Sequence, residues 1–312
     1  MNEVKINLCK NIVNSYSTKI YDELYVKDNK LPIYIINHIY RVCLQLKDKE
    51  QIRKCLNIIL NLQLDCGGWG IKSNDKEIGV YGITATEIQL LFWTMDILYD
   101  EEVLPIKNAI IEGINYLLSN RTFDDYWKEQ NETERLHGLL DLNHYILQVL
   151  YYAENRHDML LNHSLIGEVK KRLTNFYLVN QSNDGGWHEI GKIRTREGTT
   201  ADAIRALLPN KEVKENIQKG IEFLINNQNP HEGYWASGNH DKCYDTMKAI
   251  INSIYMFEKD ESYILAVERG IDYILTLNKE AMSLEELCDY ISVLNDYIYA
   301  SESSYYMEKY FF

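Results

Sequence analysis

The chain repeats one helical pattern three times, and this repetition constrains its fold more than any other feature. Each copy begins with Gly-Ile, continues with an acidic or amide residue and an aromatic one, and closes with two aliphatic residues. The copies start at Gly113, Gly220 and Gly270. A recurring unit of this kind buries its apolar face by packing against its neighbours. The sequence therefore predicts an array of similar helices.

Turn-rich segments that end in tryptophan separate these helices. The segments end at Trp69, Trp127, Trp187 and Trp235. Asp-Gly-Gly and Asn-Pro within them are turn formers, because Gly accepts positive φ and Pro fixes φ. After each turn the apolar residues return to a helical period. Two of the following helices carry an acid three residues after a threonine, Glu87 after Thr84 and Asp202 after Thr199. This spacing predicts capping boxes at two helix starts.

Six helix pairs follow from this period. The pairs are 3–16 with 32–47, 50–62 with 84–99, 104–119 with 136–154, 160–180 with 199–208, 213–227 with 245–258, and 261–276 with 283–300. Strictly alternating β-branched runs are absent from the sequence, so little or no sheet is expected. The first and last pairs are strongly apolar, and we expect the two chain ends to meet. The prediction is an all-α protein, one α/α toroid domain over 1–312 with six α-hairpins in inner and outer rings.

Charge and composition narrow the choice of partner. The sequence has 33 Lys and Arg against 46 Asp and Glu, a formal charge of -13. A surface of that sign repels a phosphate backbone and gains little from anionic lipid, so we expect no nucleic acid and at most peripheral membrane contact. No long apolar run or signal-peptide pattern occurs, which predicts a cytoplasmic protein. The six scattered cysteines predict free thiols. A small hydrophobic substrate fits this profile, whereas the oligomeric state stays open.

The turns carry a family resemblance. A Gln, three to five residues, Gly, one residue and Trp, followed by a helix rich in Thr and Ala, resembles the QW repeat of the squalene-hopene and terpene cyclase superfamily, whose fold the protein prenyltransferase β subunits share. Gln181 to Trp187 matches best, Gln63 to Trp69 comes second, and the repeats cover about 50–258. The resemblance implies an α/α toroid. It also implies that Trp69, Trp187 and Trp235 are structural clasps.

The same resemblance implies acid-initiated carbocation cyclisation or rearrangement of an isoprenoid, chemistry of the isomerase or lyase class, in a central cavity. The family's Asp-x-Asp-Asp motif is missing, since Lys242-Cys-Tyr-Asp245-Thr246 has Tyr244 where the proton donor should lie. Another carboxyl must then serve as the acid. The preferred candidates are Asp245 and Asp202, followed by Asp141, with Glu87 and Glu197 as further options. Each of these acids has an alternative role as a helix cap or in a solvated salt bridge.

Aromatic side chains are expected to line the cavity, because their rings stabilise a carbocation. The sequence has 24 Tyr, 7 Phe and 5 Trp. The expected substrate-binding residues on the inner helices are Trp93, Tyr145, Tyr244, Tyr255 and His144, and the acids Glu87 and Glu197 are expected to contact the substrate as well.

Three alternatives stay open. Asp241-Lys-Cys243-Tyr244 resembles the zinc site of prenyltransferase β subunits, but no His follows Cys243, and only His188 or His240 is left to replace it. We therefore expect no metal and no other cofactor.

A second alternative is a sugar-processing hydrolase, because Gly186-Trp-His188-Glu and Glu197-Gly-Thr-Thr resemble unsaturated glucuronyl hydrolases. Asp141, His144 and Asp202 would then be the acids and bases. The third alternative is a non-catalytic toroid that binds a lipid or a protein.

Overall fold

A computed structural model describes residues 1–26, 31–73, 76–98, 100–122, 127, 139–188, 196–235, 240–254, 257 and 260–302. The chain divides into two compact units, each considered by itself. The middle unit is Lys27–Tyr177, and the terminal unit combines Met1–Val26 with Leu178–Phe312.

The middle unit is built on helices that pack around α4. Its helices are α2 Ile33–Leu46, α3 Lys49–Asn61, α4 Tyr81–Met95, α5 Asp100–Ser119, α6 Leu139–Glu154 and most of α7 His163–Val179. Helix α4 contacts α2, α5 and α6. The strands β1 Gly70–Ser73 and β2 Lys76–Gly79 form one antiparallel hairpin with Ile71 opposite Ile78. This hairpin is the small amount of sheet in the described part of the chain.

The terminal unit has the same plan. Its helices are α1 Glu3–Val26, α8 Arg196–Leu207, α9 Lys214–Asn226, α10 His240–Ser253, α11 Glu261–Thr276 and α12 Leu284–Glu302, with short 3-10 helices at Lys211–Val213 and Lys279–Ala281. Helix α10 lies between α8 and α12 and also contacts α9 and α11. The sequence pairs α1 with the next helix along the chain, but its main partner is α12. The expected meeting of the two chain ends is thus confirmed.

Local side-chain chemistry sets several helix ends. Asp48 caps α3 by accepting hydrogen bonds from two backbone N–H groups, and Ser283 with Glu286 forms a reciprocal capping box at α12. The capping boxes predicted at Thr84 and Thr199 are wrong, because α4 and α8 begin several residues earlier. Both threonines lie inside the helices and are fully buried. Their acidic partners therefore have other roles.

The Gln and Trp turns join neighbouring helices, as their predicted clasp role requires. The Gln63, Gln181 and Gln228 side chains each donate to two carbonyls, one in the same turn and one on a helix further along the chain, at 2.8 and 2.9 Å. Trp69 and Trp235 are buried and donate from the indole N–H to a carbonyl of the preceding helix. This arrangement buries the large apolar indole ring and gives its one polar group, the N–H, a hydrogen-bond acceptor.

Glycine is required where the clasps approach a helix. Gly185 has a φ of 92°, and a Cβ there would lie 2.4 Å from the Lys219 carbonyl oxygen. The repeated Gly220 faces Trp187, where a Cβ would lie 2.7 Å from the indole ring. The recurring glycines of the sequence therefore mark close approaches between elements. No helix in the described ranges is long and apolar enough to cross a membrane.

Candidate functional site

Two preferred acids meet around one arginine in the terminal unit. Asp202 and Arg205 lie one turn apart on α8, and Asp245 lies on α10. The Arg205 Nη1 atom donates to Asp245 Oδ1 at 3.1 Å and lies 3.8 Å from Asp202 Oδ1. Asp202 is fully buried, Arg205 is 9% exposed, and Asp245 is 27% exposed at the side chain. We call these three residues the acid cluster.

The acid cluster holds one more carboxylate than cation. Because both Oδ1 atoms lie near one guanidinium nitrogen, they are no more than about 7 Å apart, a separation at which two carboxylates repel each other. A proton retained by one of the two carboxyls makes the cluster electrically neutral. The arrangement can therefore hold a proton away from water beside a cation that stabilises the anion left after the proton departs.

A second ion pair continues from the acid cluster. Asp245 and Lys248 on α10 repeat the spacing of Asp202 and Arg205 on α8. The Lys248 Nζ atom lies 3.2 Å from Asp289 Oδ1 on α12, and both side chains are largely buried. Sequence reasoning missed Arg205, Lys248 and Asp289. The sequence did contain a signal for these ion pairs: α8 and α10 each have an Asp followed three residues later by a cation.

The middle unit has uncharged residues at the corresponding positions. The backbone N–H of Trp69 donates to Thr84, and that of Trp187 donates to Thr200, which makes these threonines equivalent positions on α4 and α8. Five residues after each lies Gln89 or Arg205. Gln89 donates to Gln148 of α6 at 2.9 Å, so amides bridge the helices where the terminal unit uses ions. At these positions the described middle unit thus has an amide pair where the terminal unit has an ion pair.

Glu87 is a buried acid of a different kind. It lies on α4 and is fully buried, and neither carboxyl oxygen makes a hydrogen bond of good geometry with the described residues, although the Asn37 side chain lies close to it. Burial raises the pKa of Glu87 well above its usual range, and the neighbouring Asn37 amide offsets this only in part. A carboxyl with a raised pKa is a weak acid. Glu87 is therefore poorly suited to protonate an alkene.

The middle unit also contains an apolar cavity. Its volume is about 720 Å³, within the range of small-molecule pockets. It lies among the starts of α2 and α4 and the end of α3, and its lining includes Leu31, Ile33, Ile36, Ile58, Leu62 and Ile83. A hydrocarbon chain would be compatible with these walls.

The expected substrate-binding residues are spread over both units. In the middle unit Trp93 and His144 are buried, and the partly exposed Tyr145 ring lies 3.7 Å from the His144 ring. Trp93 donates to the Tyr152 hydroxyl at 3.4 Å. In the terminal unit Tyr244 is buried beside Asp245.

Of the three remaining candidates, the structure describes the side chain of Glu197 alone, and it is not part of the acid cluster. Glu197 is partly exposed in the first turn of α8. The side chain of Asp141 and all of Tyr255 lie outside the described residues. Their assignments remain predictions.

The candidate zinc residues give no assembled site. The side chains of Asp241, Cys243 and His240 lie outside the described residues, and His188 is exposed. Among the side chains that the structure describes, no group of three or more His, Cys, Asp or Glu could hold a metal ion. The expectation of no metal stays a prediction.

Comparison with known proteins identifies the fold. No protein-family model matches the sequence, and no curated protein matches it either. Among solved structures, a variant of the type II terpene cyclase MstE from Scytonema, in complex with geranylgeranyl dihydroxybenzoate, is similar at 12% identity and a TM-score of 0.67, over 96% of this chain and 99% of that one. The ent-copalyl diphosphate synthase from Streptomyces platensis is similar at 14% identity and a TM-score of 0.61, over 84% of this chain and 49% of that one.

A sugar-processing enzyme has the same fold. A glycosyl hydrolase of family 88 from Bacteroides vulgatus is similar at 10% identity and a TM-score of 0.66, over 94% of this chain and 99% of that one. These similarities confirm the predicted all-α fold of the α/α toroid type, and with it the resemblance to the terpene cyclase superfamily. At this identity they show the fold and not the reaction.

Proposed function

We propose that the protein carries out acid-initiated cyclisation or rearrangement of an isoprenoid, with the acid cluster as the proton source. The observation that carries the proposal is Arg205 held between Asp202 and Asp245, since protonation of an alkene needs a carboxyl whose anion is well stabilised. The Gln and Trp clasps, which resemble those of the cyclases, support the same reading.

The geometry assigns different roles to the two carboxyls. Asp245 makes the direct hydrogen bond to Arg205 and is the more exposed of the pair, so we assign it the role of holding the guanidinium in place. Asp202 is fully buried, and unlike Glu87 it has a guanidinium 3.8 Å away that can stabilise its anion, so we assign it as the proton donor. In the first step the Asp202 O–H bond breaks and the alkene π electrons form a C–H bond, which leaves a carbocation and an Asp202 carboxylate beside Arg205. A proton then leaves a carbon next to the final cation, its C–H electrons form the new alkene, and the Asp202 carboxylate takes the proton up directly or through water, which restores the acid and completes an isomerisation.

Incubation of the protein in D₂O with C10 to C30 prenyl alcohols, diphosphates and hydrocarbons tests this proposal. Protonation of carbon by an exchangeable acid places one non-exchangeable deuterium in each product molecule, which mass spectrometry detects. Asp202→Asn and Asp245→Asn should each abolish the product. Asp260→Asn is the matched control, because Asp260 is an exposed cap of α11 and Asn caps a helix equally well. A product without deuterium, or full turnover by Asp202→Asn, would refute the assignment.

A sugar-processing reaction is the second candidate, and one specific observation favours it. A carboxyl separation of no more than about 7 Å includes the distances at which glycosidase acid and base pairs operate. Unsaturated uronides and chromogenic glycosides provide the assay. Hydrolysis that Asp202→Asn and Asp245→Asn both abolish, with silence across the prenyl panel, would replace the cyclase proposal. Tight binding of a prenyl compound without any product would instead support a non-catalytic lipid-binding toroid.

A further inference from the structure

The start of α2 carries an apolar run that stays partly exposed, although the later turns of this helix are buried. The run covers 31–36, and five of its six residues line the apolar cavity of the middle unit. Tyr34 is 49% exposed, and Leu31 and Ile33 are half-buried. Bulky apolar side chains in contact with water cost stability in proportion to their exposed area. This wall of the cavity would therefore gain from being covered.

The other walls of the cavity have the same character. Ile58 and Leu62 lie one turn apart on α3, and Ile83 lies in the first turn of α4. All three are half-buried. Partly exposed aliphatic side chains from three helices thus line one hollow of about 720 Å³, and contiguous apolar surface of this kind is typical of ligand-binding grooves. The volume is that of a site for a small molecule.

The described lining of the cavity has no charged side chain. Its polar side chains are the Tyr34 phenol and the amides of Asn57 and Asn61, which lie one turn apart on α3. Both asparagines are exposed, so the amides lie on the solvent side of the cavity. A carboxylate or phosphate bound against these side chains would lack a counterion, and the formal charge of -13 on the chain adds repulsion. The lining therefore favours an uncharged ligand.

We propose that this cavity binds a neutral amphiphile, with one aliphatic chain against the walls and an uncharged head that hydrogen-bonds to Asn57 and Asn61. An alcohol head both donates to and accepts from an amide, whereas a carboxylate only accepts and needs a cation beside it. The chain is either prenyl or unbranched alkyl, since aliphatic walls bind both through the same apolar contact. The cavity lies in the middle unit and the acid cluster in the terminal unit, so the inference does not depend on the proposed function.

Displacement of a neutral fluorescent dye, N-phenyl-1-naphthylamine, measures the affinity of each ligand. Unbranched alcohols from C8 to C14 should bind about fourfold more tightly for each added CH₂, until the chain fills the cavity. Dodecanol should bind at least about tenfold more tightly than dodecanoate, and Asn61→Lys should narrow that gap about tenfold by supplying a cation. Farnesol is the branched arm of the test. Tighter binding of farnesol than of dodecanol identifies a prenyl source for the chain, and weaker binding identifies an alkyl source.

A photoreactive dodecanol with a diazirine in its chain locates the site in the wild-type protein. Labelling should fall on peptides that contain 31–36, 57–64 or Ile83, and excess dodecanol should prevent it. Leu62→Trp and Ile83→Trp fill the cavity and should each weaken dodecanol binding at least about tenfold. Leu104→Trp is the matched control and should bind as the wild type does, because Leu104 is 65% exposed on α5 and does not line the cavity.

Labelling that falls elsewhere, or that excess dodecanol does not prevent, overturns the inference. An affinity that is independent of chain length, or unchanged in both filled variants, overturns it as well. The labelling needs no variant, so it decides the question even where a filled variant does not fold. Labelling of the cavity with silence across the prenyl panel would remove the cyclase proposal alone, and a deuterated product without cavity labelling would remove this site alone.

Discussion

Replacement of Glu87 by glutamine should stabilise the protein in a way that depends on pH. The folded protein holds this carboxyl without a described hydrogen-bond partner, and its pKa is raised well above the usual value by burial. Below the unfolded pKa of about 4.5 the carboxyl is protonated in both states and contributes no pH dependence. Above that value the unfolded chain releases a proton that the folded chain retains. Folding then becomes less favourable as pH rises, until the folded pKa is reached.

The magnitude follows from proton linkage. Each pH unit between the unfolded and folded pKa of Glu87 should cost about 1.4 kcal/mol of stability, since the folded state binds one proton more than the unfolded state in this interval. Glu87→Gln removes this cost, because a neutral amide of similar size replaces the carboxyl. The stability difference between variant and wild type should therefore grow by about 1.4 kcal/mol per pH unit in this interval.

Urea unfolding of both proteins at half-unit steps between pH 5 and 8 measures the difference, and linear extrapolation gives each free energy of unfolding. Glu168→Gln is the control, because Glu168 is exposed on α7 and pairs with Arg172 in the next turn. Its stability difference should be nearly independent of pH over this range. A flat difference for Glu87→Gln would show that the carboxyl is ionised in the folded protein and would refute the reasoning.

Three further predictions concern stability, each measured by chemical unfolding. Gly185→Ala should cost more than about 1 kcal/mol, because the residue has positive φ and an alanine Cβ would overlap a carbonyl oxygen. Gly167→Ala within α7 should instead stabilise the protein by up to about 1 kcal/mol, and similar losses in the two variants would contradict the proposed strain at Gly185. Gln228→Ala should cost about 1 to 3 kcal/mol, since two carbonyls lose their donor, and a neutral result would remove the clasp role. Arg205→Met should cost about 3 to 5 kcal/mol, because the buried Asp202 and the partly exposed Asp245 lose the cation between them. Arg196→Met, at a more exposed ion pair, should cost less than about 1 kcal/mol, and equal effects of the two changes would show that the acid cluster is well solvated.

The helices and clasps were readable from the sequence because they depend on local chemistry. The helical period located the helices, and the recurring Gly and Trp located the turns between them.

The helix caps were predicted less accurately. The threonines before Glu87 and Asp202 had the spacing of a cap, yet each helix begins a turn earlier and the spacing occurs inside it. A helix starts where the preceding turn ends, and the spacing of a few residues within the helix does not specify that position.

The site was predictable only in part, for a related reason. Asp202 and Asp245 were chosen from their positions after the turns, but Arg205 was not, although it is the residue that brings them together. In the sequence Glu87 and Asp202 are equally good candidates for the acid. In the structure both carboxyls are buried, but only Asp202 has a described cation beside it. The sequence by itself determined the helical repeat, the clasps and the meeting of the chain ends, because these follow from periodicity and residue type. Only the tertiary structure decided which acids share a counterion and which polar groups are buried without a partner, because these depend on contacts between helices that lie far apart in the chain.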